Sequence, residues 1–228
     1  MHPLKGRERH GANPPLPWES NGGLPERLWG TALLTSVEPQ RAFGELPEGK
    51  LGPAFTFAVI AELYAIGSVT AFLILSALVI DAEFTRVLLS NPLVTGVTFG
   101  VTLGLSVIMV LLHALWGVTL EFGLRTAGRH ANYVQGIRFG LYACGWDLLT
   151  SPAGIAQGLL SRGLWGAWGP IRAAVGVPRS ALHAYVTECR KLDISAARRG
   201  LRFSLAILVV SLVGFALLTI VAIALWLL

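Results

Sequence analysis

Apolar residues fall in long blocks separated by short polar ones, and the block lengths predict helices of membrane length. Residues 54–80 form 27 positions with one charge, Glu62, enough at about 1.5 Å per residue to cross roughly 30 Å of hydrocarbon with tilt. A turn holding Asp81, Glu83, Arg86 and Asn91-Pro92 leads to a second block, 93–120. A polar loop with Glu121, Arg125, Arg129, His130 and Asn132 then precedes an apolar stretch, 134–177, broken at Ser151-Pro152-Ala153-Gly154. Dividing it there gives spans of 17 and 23 residues, 134–150 and 155–177, whereas a break at 161–163 leaves a second segment of only 15. Pro-x-Gly is also suitable turn chemistry. The last block, 203–228, carries no charge. The pattern predicts an all-α fold, a polytopic helical membrane bundle of five transmembrane helices.

Before the first span the pattern differs. Residues 1–23 are polar, with Pro3, Pro14, Pro15 and Pro17, and too little apolar surface to offset the entropy of ordering, so disorder is expected there. Residues 24–53 read as a cytoplasmic amphipathic helix and loop. Pro25 suits a first helical turn, Leu28, Trp29, Ala32, Leu33 and Val37 share one broad face, and Pro39 stops the helix. Phe43 and Leu46 are potential anchors in the loop that follows. Residues 54–228 are then the five-span domain.

Within the spans two features stand out. Gly96, Gly100 and Gly104 recur every four residues along one face of the second span, a helix-packing face that admits a close backbone approach. Charged groups at membrane depth are costly and face a protein interior or pair with one another. Glu62, His113, Arg138 and Arg172 all fall in the inner half of the bilayer, which predicts pairing of Glu62 with Arg172 or Arg138. Asp147 and Arg162 lie toward the outer side, on either side of the turn, and are expected to pair there. Such groups serve either helix register or a proton or substrate path.

Composition supports the membrane reading: 54% of residues are hydrophobic and 14% charged, far below the roughly one quarter charged in soluble domains, and the mean hydropathy is +0.62. The formal charge of +5 does not imply nucleic acid, because membrane proteins gather Lys and Arg in cytoplasmic loops. Six such residues precede Pro53 and six follow Pro178, namely Arg179, Arg190, Lys191, Arg198, Arg199 and Arg202, whereas the loop after the first span holds only Arg86. This asymmetry places the N-terminus inside and, with five spans, the C-terminus outside, with Trp165, Trp168 and Trp226 toward the outer aromatic belt. The basic loop is expected to lie on anionic lipid. Arginine outnumbers lysine and Ala, Gly and Leu abound, as in proteins of GC-rich bacterial genomes, so a bacterial inner membrane is the expected location. The first fifty residues hold no short apolar core with a small-residue cleavage site, so the first span is expected to direct insertion.

Motifs for chemistry are absent. No Ser or Cys is paired with a His base and an acid, there is no His-Glu-x-x-His, and His113, His130 and His183 show no ligand spacing. Cys144 reads as a buried small hydrophobe and Cys189 as a plain thiol whose neighbours Arg190 and Lys191 tend to lower its pKa. No phosphate loop or dinucleotide fingerprint occurs. No catalytic residue, metal or cofactor is expected, and an intramembrane enzyme has little support.

Pro17-Trp18-Glu19 before a short helix, Glu38-Pro39-Gln40-Arg41-Ala42-Phe43 ahead of the first span, the run Arg138-Phe139-Gly140-Leu141-Tyr142-Ala143, the Pro152-x-Gly154 break and a basic loop before a final apolar span together resemble bacterial members of the Yip1 family. The resemblance runs from about Trp18 to the C-terminus. Eukaryotic members participate in vesicle trafficking and contact Rab-type small GTPases. The Asp-Leu-Tyr-Gly-Pro-like motif they carry before the first span is missing here, so the resemblance implies architecture more than activity. The expected function is that of a non-enzymatic scaffold or membrane-organising protein, acting on lipid, on membrane-protein partners or on itself. The alternative is a small transporter or channel using the intramembrane charges.

Overall fold

The computed structural model describes residues 16–125, 130–166 and 179–193 and single positions beyond them, at 195, 202, 206, 209 and 210. Among these residues the fold is all-helical, with no strand. Of the expected spans 155–177 and 203–228, residues 167–177 and all of the second but 206, 209 and 210 lie outside the described residues, as do Arg172, Arg198 and Arg199.

The chain enters through one 3-10 turn, Pro17–Glu19, and helix α1, Leu24–Val37, opened by Pro25. The buried side of α1 is Leu28, Thr31, Ala32, Thr35 and Ser36, an i, i+3, i+4, i+7, i+8 stripe. Leu33 and Val37, expected on the packed face, are 43% and 44% exposed, because α1 presents its small residues to the bundle. Gly145 is the matching approach point: a Cβ there would crowd Thr35 Oγ1 and the Ala32 Cα. The expected disorder of residues 1–23 is corrected over 16–19, where Leu16 and Trp18 join the core. Trp18 meets Phe57 edge-on at a centroid distance of 5.6 Å. Its backbone N–H donates to Thr31 Oγ1 at 2.7 Å, and Arg27 closes the turn by donating to its carbonyl. The apolar surface missing from the composition of 1–23 as a whole is concentrated in these two residues.

A short helix α2, Pro39–Phe43, and a loop with buried Phe43 and Leu46 lead to α3, Leu51–Ile80. Then come α4, Ala82–Ser90, capped by the Asp81 carboxylate accepting from Phe84 N–H, and α5, Pro92–Arg125. Helices α3 and α5 are long and apolar enough to cross a membrane. At about 1.5 Å per residue they measure roughly 45 and 51 Å.

Burial divides both helices. In α3 every buried residue lies between Ala54 and Ala65, and in α5 between Ser106 and Leu124. The remaining halves and α4 form an apolar hairpin leaving the core, with Phe72, Leu73, Val79 and Ile80 exposed. It is pinned by a hydroxyl pair, Thr70 and Thr102, at 3.0 Å.

The stretch predicted as span 134–150 is two helices, α6, Tyr133–Ala143, and α7, Gly145–Thr150, separated at Cys144. The predicted turn at Ser151 is the start of α8, Pro152–Arg162: Ser151 caps it by accepting from Gly154 N–H, and Pro152 takes the first position. None of α6, α7 or α8 is alone long enough for a full crossing. Helix α6 lies against α5 at glycines. A Cβ on Gly117 would overlap the Gly136 carbonyl, and one on Gly140 would overlap the carbonyl of His113. Gly96, Gly100 and Gly104, expected to be the packing face, have open space where a Cβ would stand. They lie on the hairpin, beyond the core-facing half of α5, and so meet no neighbour among the described residues.

Residues 179–183 are helical and run into a π-helical segment, Ala184–Cys189. Tyr185 from this segment stacks on Phe139 at 4.4 Å, and Phe43 and Trp116 complete the aromatic cluster around that ring.

Candidate functional site

Three buried polar clusters tie the helices together, and they differ in how well their charges are matched. The first fastens the N-terminal turn. Arg138 of α6, 1% exposed, donates to Glu19 Oε1 at 2.6 Å, and the Tyr142 hydroxyl donates to the same oxygen at 2.7 Å. Gly49 lies over the guanidinium so closely that any side chain there would strike it. Arg138 therefore pairs with Glu19, not with Glu62 as its depth suggested.

The second cluster lies at the C-terminal end of α5. Glu121 is fully buried and accepts from the Tyr185 hydroxyl at 2.5 Å, Asn132 N–H at 2.7 Å and Arg190 Nη2 at 3.0 Å. Arg190 also donates to the His130 carbonyl at 2.6 Å. Gln135 donates to the Leu46 carbonyl at 2.8 Å, and Asn132 reaches Glu48 at 3.0 Å. Arg190 is thus withdrawn from the basic membrane-surface loop to which its sequence neighbours assigned it, since a buried carboxylate needs a cation. Arg179, Lys191 and Arg202 remain exposed. Burial first, then the Glu121 carboxylate, pushes the Tyr185 phenol above its ordinary range. Burial likewise pushes the Cys189 thiol up, outweighing the Leu46 carbonyl contact and the charge of Arg190 that pull it down.

The third cluster is built from three helices at the place where the hairpin leaves the core. Glu62 of α3, His113 of α5 and Asp147 of α7 converge so that their donor atoms all lie within 4.8 Å of one another. His113 Nε2 lies 2.6 Å from Asp147 Oδ2 and 3.3 Å from Glu62 Oε1. The imidazole hydrogen-bonds to Asp147; toward Glu62 it is within ion-pair distance but makes no hydrogen bond, so both carboxylate oxygens of the fully buried Glu62 lack a hydrogen-bond partner among the described residues. The backbone of Glu62 is held across the interface by Ser106, whose hydroxyl reaches its carbonyl at 3.4 Å. The side chains of His113 and Asp147 keep 14% and 17% exposure, one open edge to an otherwise closed site.

Asp147 therefore meets His113 and not Arg162. Arg162, at the exposed end of α8, lines a groove of 670 Å³ between α1 and α8, together with Glu38, Arg41 and Gln157. Of the charges expected inside the bilayer, the fold gathers Glu62, His113 and Asp147 and sends Arg138 and Arg162 elsewhere. Glu19, Glu121 and Tyr185 are the partners that the sequence pattern did not single out, since each lies outside an apolar block.

Against known proteins, the chain matches no family model, no curated protein and no solved structure.

Proposed function

We propose that the chain is a non-enzymatic integral membrane protein of Yip1-like architecture, a scaffold that organises partner proteins within the bilayer. In this reading α3 and α5 are membrane spans and the N-terminus is cytoplasmic in a bacterial inner membrane. Residues 133–150 pack against α1 and the core-facing halves of α3 and α5, consistent with their burial and with the rarity of lipid-facing polar groups. The observation that carries the reading is the apolar hairpin over 66–105, whose glycine face at Gly96, Gly100 and Gly104 is open among the described residues. Small residues let another helix backbone approach where lipid supplies no hydrophobic drive.

The test is photo-crosslinking in native membranes from a benzophenone side chain placed at Gly100. Adducts with a second copy or another membrane protein are expected. Adducts only with lipid, or only within the chain, overturn the scaffold reading. A cation-handling role is the second reading, favoured by the convergence of Glu62, His113 and Asp147 from three helices.

A further inference from the structure

The Glu62, His113 and Asp147 cluster differs from the other two in one respect. Glu19 and Glu121 are each met by an arginine and a tyrosine hydroxyl, whereas Glu62, as buried as Glu121, receives no hydrogen bond at either oxygen among the described residues. A single imidazole nitrogen faces two carboxylates, and one N–H serves only one of them well. An uncompensated carboxylate in a closed site is expensive, and a purely structural cluster would not leave one aimed at two other donors.

We propose that these three side chains bind one divalent first-row transition-metal ion of the zinc class, through His113 Nε2, Asp147 Oδ2 and a Glu62 carboxylate oxygen. Three arguments support the assignment. Charge balances: a doubly positive ion, two carboxylates and a neutral imidazole sum to zero, the arrangement that low-polarity surroundings favour. Spacing fits: metal bonds of about 2.0–2.2 Å set neighbouring donors about 3.4 Å apart in a tetrahedron, against 3.3 Å for the histidine and Glu62. The 2.6 Å contact between His113 and Asp147 opens by less than an ångström once the shared hydrogen is gone, and the Glu62 and Asp147 oxygens, within 4.8 Å of each other, close by at most about 1.4 Å to reach the tetrahedral spacing. Donor chemistry selects: imidazole nitrogen with carboxylate oxygen suits zinc, iron or manganese, and disfavours calcium and magnesium, which take oxygen ligands. Three protein ligands leave a fourth position at the open edge formed by His113 and Asp147, for water or for an exchanging ligand. This inference holds whether or not the hairpin is a scaffold face.

The experiment uses the full chain, purified in nanodiscs and stripped with chelator, then dialysed against Zn²⁺ with bound metal counted by mass spectrometry. One ion per chain is expected. Glu62→Gln, His113→Gln and Asp147→Asn should each weaken it by more than the about 10- to 100-fold that follows loss of a group merely supporting a ligand. A His2→Ala/His10→Ala/Cys189→Ser variant should retain it. Because a cluster variant can fail to fold, Co²⁺ bound to the wild-type protein gives a second reading: visible bands without the intense near-ultraviolet absorption of a thiolate ligand. Absence of stoichiometric Zn²⁺, undiminished binding by folded Glu62→Gln, a thiolate signature, or binding of Mg²⁺ or Ca²⁺ alone would each overturn the assignment.

Discussion

Replacing Glu19 by glutamine removes the carboxylate that pairs with Arg138, whose side chain is 1% exposed and backed by Gly49. Removing one partner of a buried ion pair costs about 3–5 kcal/mol, because the other charge stays buried. Glu19 itself is 18% exposed, so water screens part of the interaction, and the lower end, about 3 kcal/mol, applies. At about 1.4 kcal/mol per tenfold, detachment of the N-terminal turn becomes roughly a hundredfold more frequent. Amide hydrogen exchange over 17–37, measured in nanodiscs, should accelerate by that factor. Arg138→Met alone should cost only about 1 kcal/mol, since Glu19 can turn to solvent and an apolar chain fills the site. The Glu19→Gln/Arg138→Met double variant should recover about 2 kcal/mol relative to the sum of the single changes. Additivity within about 0.5 kcal/mol would show that the pair does not hold the segment, and the reasoning would fail.

Gly140→Ala should destabilise the folded chain by about 3 kcal/mol or more, because its Cβ meets the His113 backbone and two helices must separate. Gly100→Ala, with open space around it among the described residues, should leave the thermal melt in detergent unchanged. Trp18→Ala, at a site 3% exposed, should cost about 3–5 kcal/mol and be read as a lowered melting temperature; an unchanged melt would place the tryptophan outside the core. The Cys189 thiol, held up by burial, should react with iodoacetamide more slowly at pH 7–8 than an exposed cysteine of pKa about 8.5, and an inflection below that value would contradict its burial. Its raised pKa favours the neutral form in the fold, so its contribution to stability is present at neutral pH and is lost as pH rises through the folded value. Tyr185 acts in the same sense above about pH 10; thermal melts between pH 7 and 11 should fall at the alkaline end, more steeply in the wild type than in Tyr185→Phe.

The sequence pattern located the helices better than it paired them. Leu24–Val37 was legible from Pro25 and Pro39, and the membrane-length helices from their apolar blocks. The charges inside those blocks were recognised as costly, but the partner of Arg138 lay outside the spans, in a segment that looked like polar tail, and Arg190, read as part of a basic loop, meets Glu121 at a helix end that also looked like loop. Depth along a helix says how far a charge lies from the interface; it says nothing about which neighbour it faces. Glycine packing shows the same limit. The stripe at Gly96, Gly100 and Gly104 and the pair Gly136 and Gly140 both repeat every four residues, and only the fold shows that the pair meets another helix, at Gly117 and His113. The same holds for His113, which has no ligand at helical spacing because Glu62 and Asp147 come from two other helices.

The pairing of Glu19 with Arg138 also sets an order of events during synthesis. The two residues are 119 positions apart, and at about 5–20 residues per second translation needs roughly 6–24 s to deliver the second after the first. Trp18 and Glu19 leave the ribosome long before α6 exists, so the hairpin of α3, α4 and α5 is made while the N-terminal turn still lacks its contacts with Arg138 and Tyr142. Its docking is a late step, gated by the arrival of Arg138 and Tyr142. A nascent chain arrested before α6 would leave Trp18 and α1 open to chaperones and proteases, and release of the complete chain would close that window.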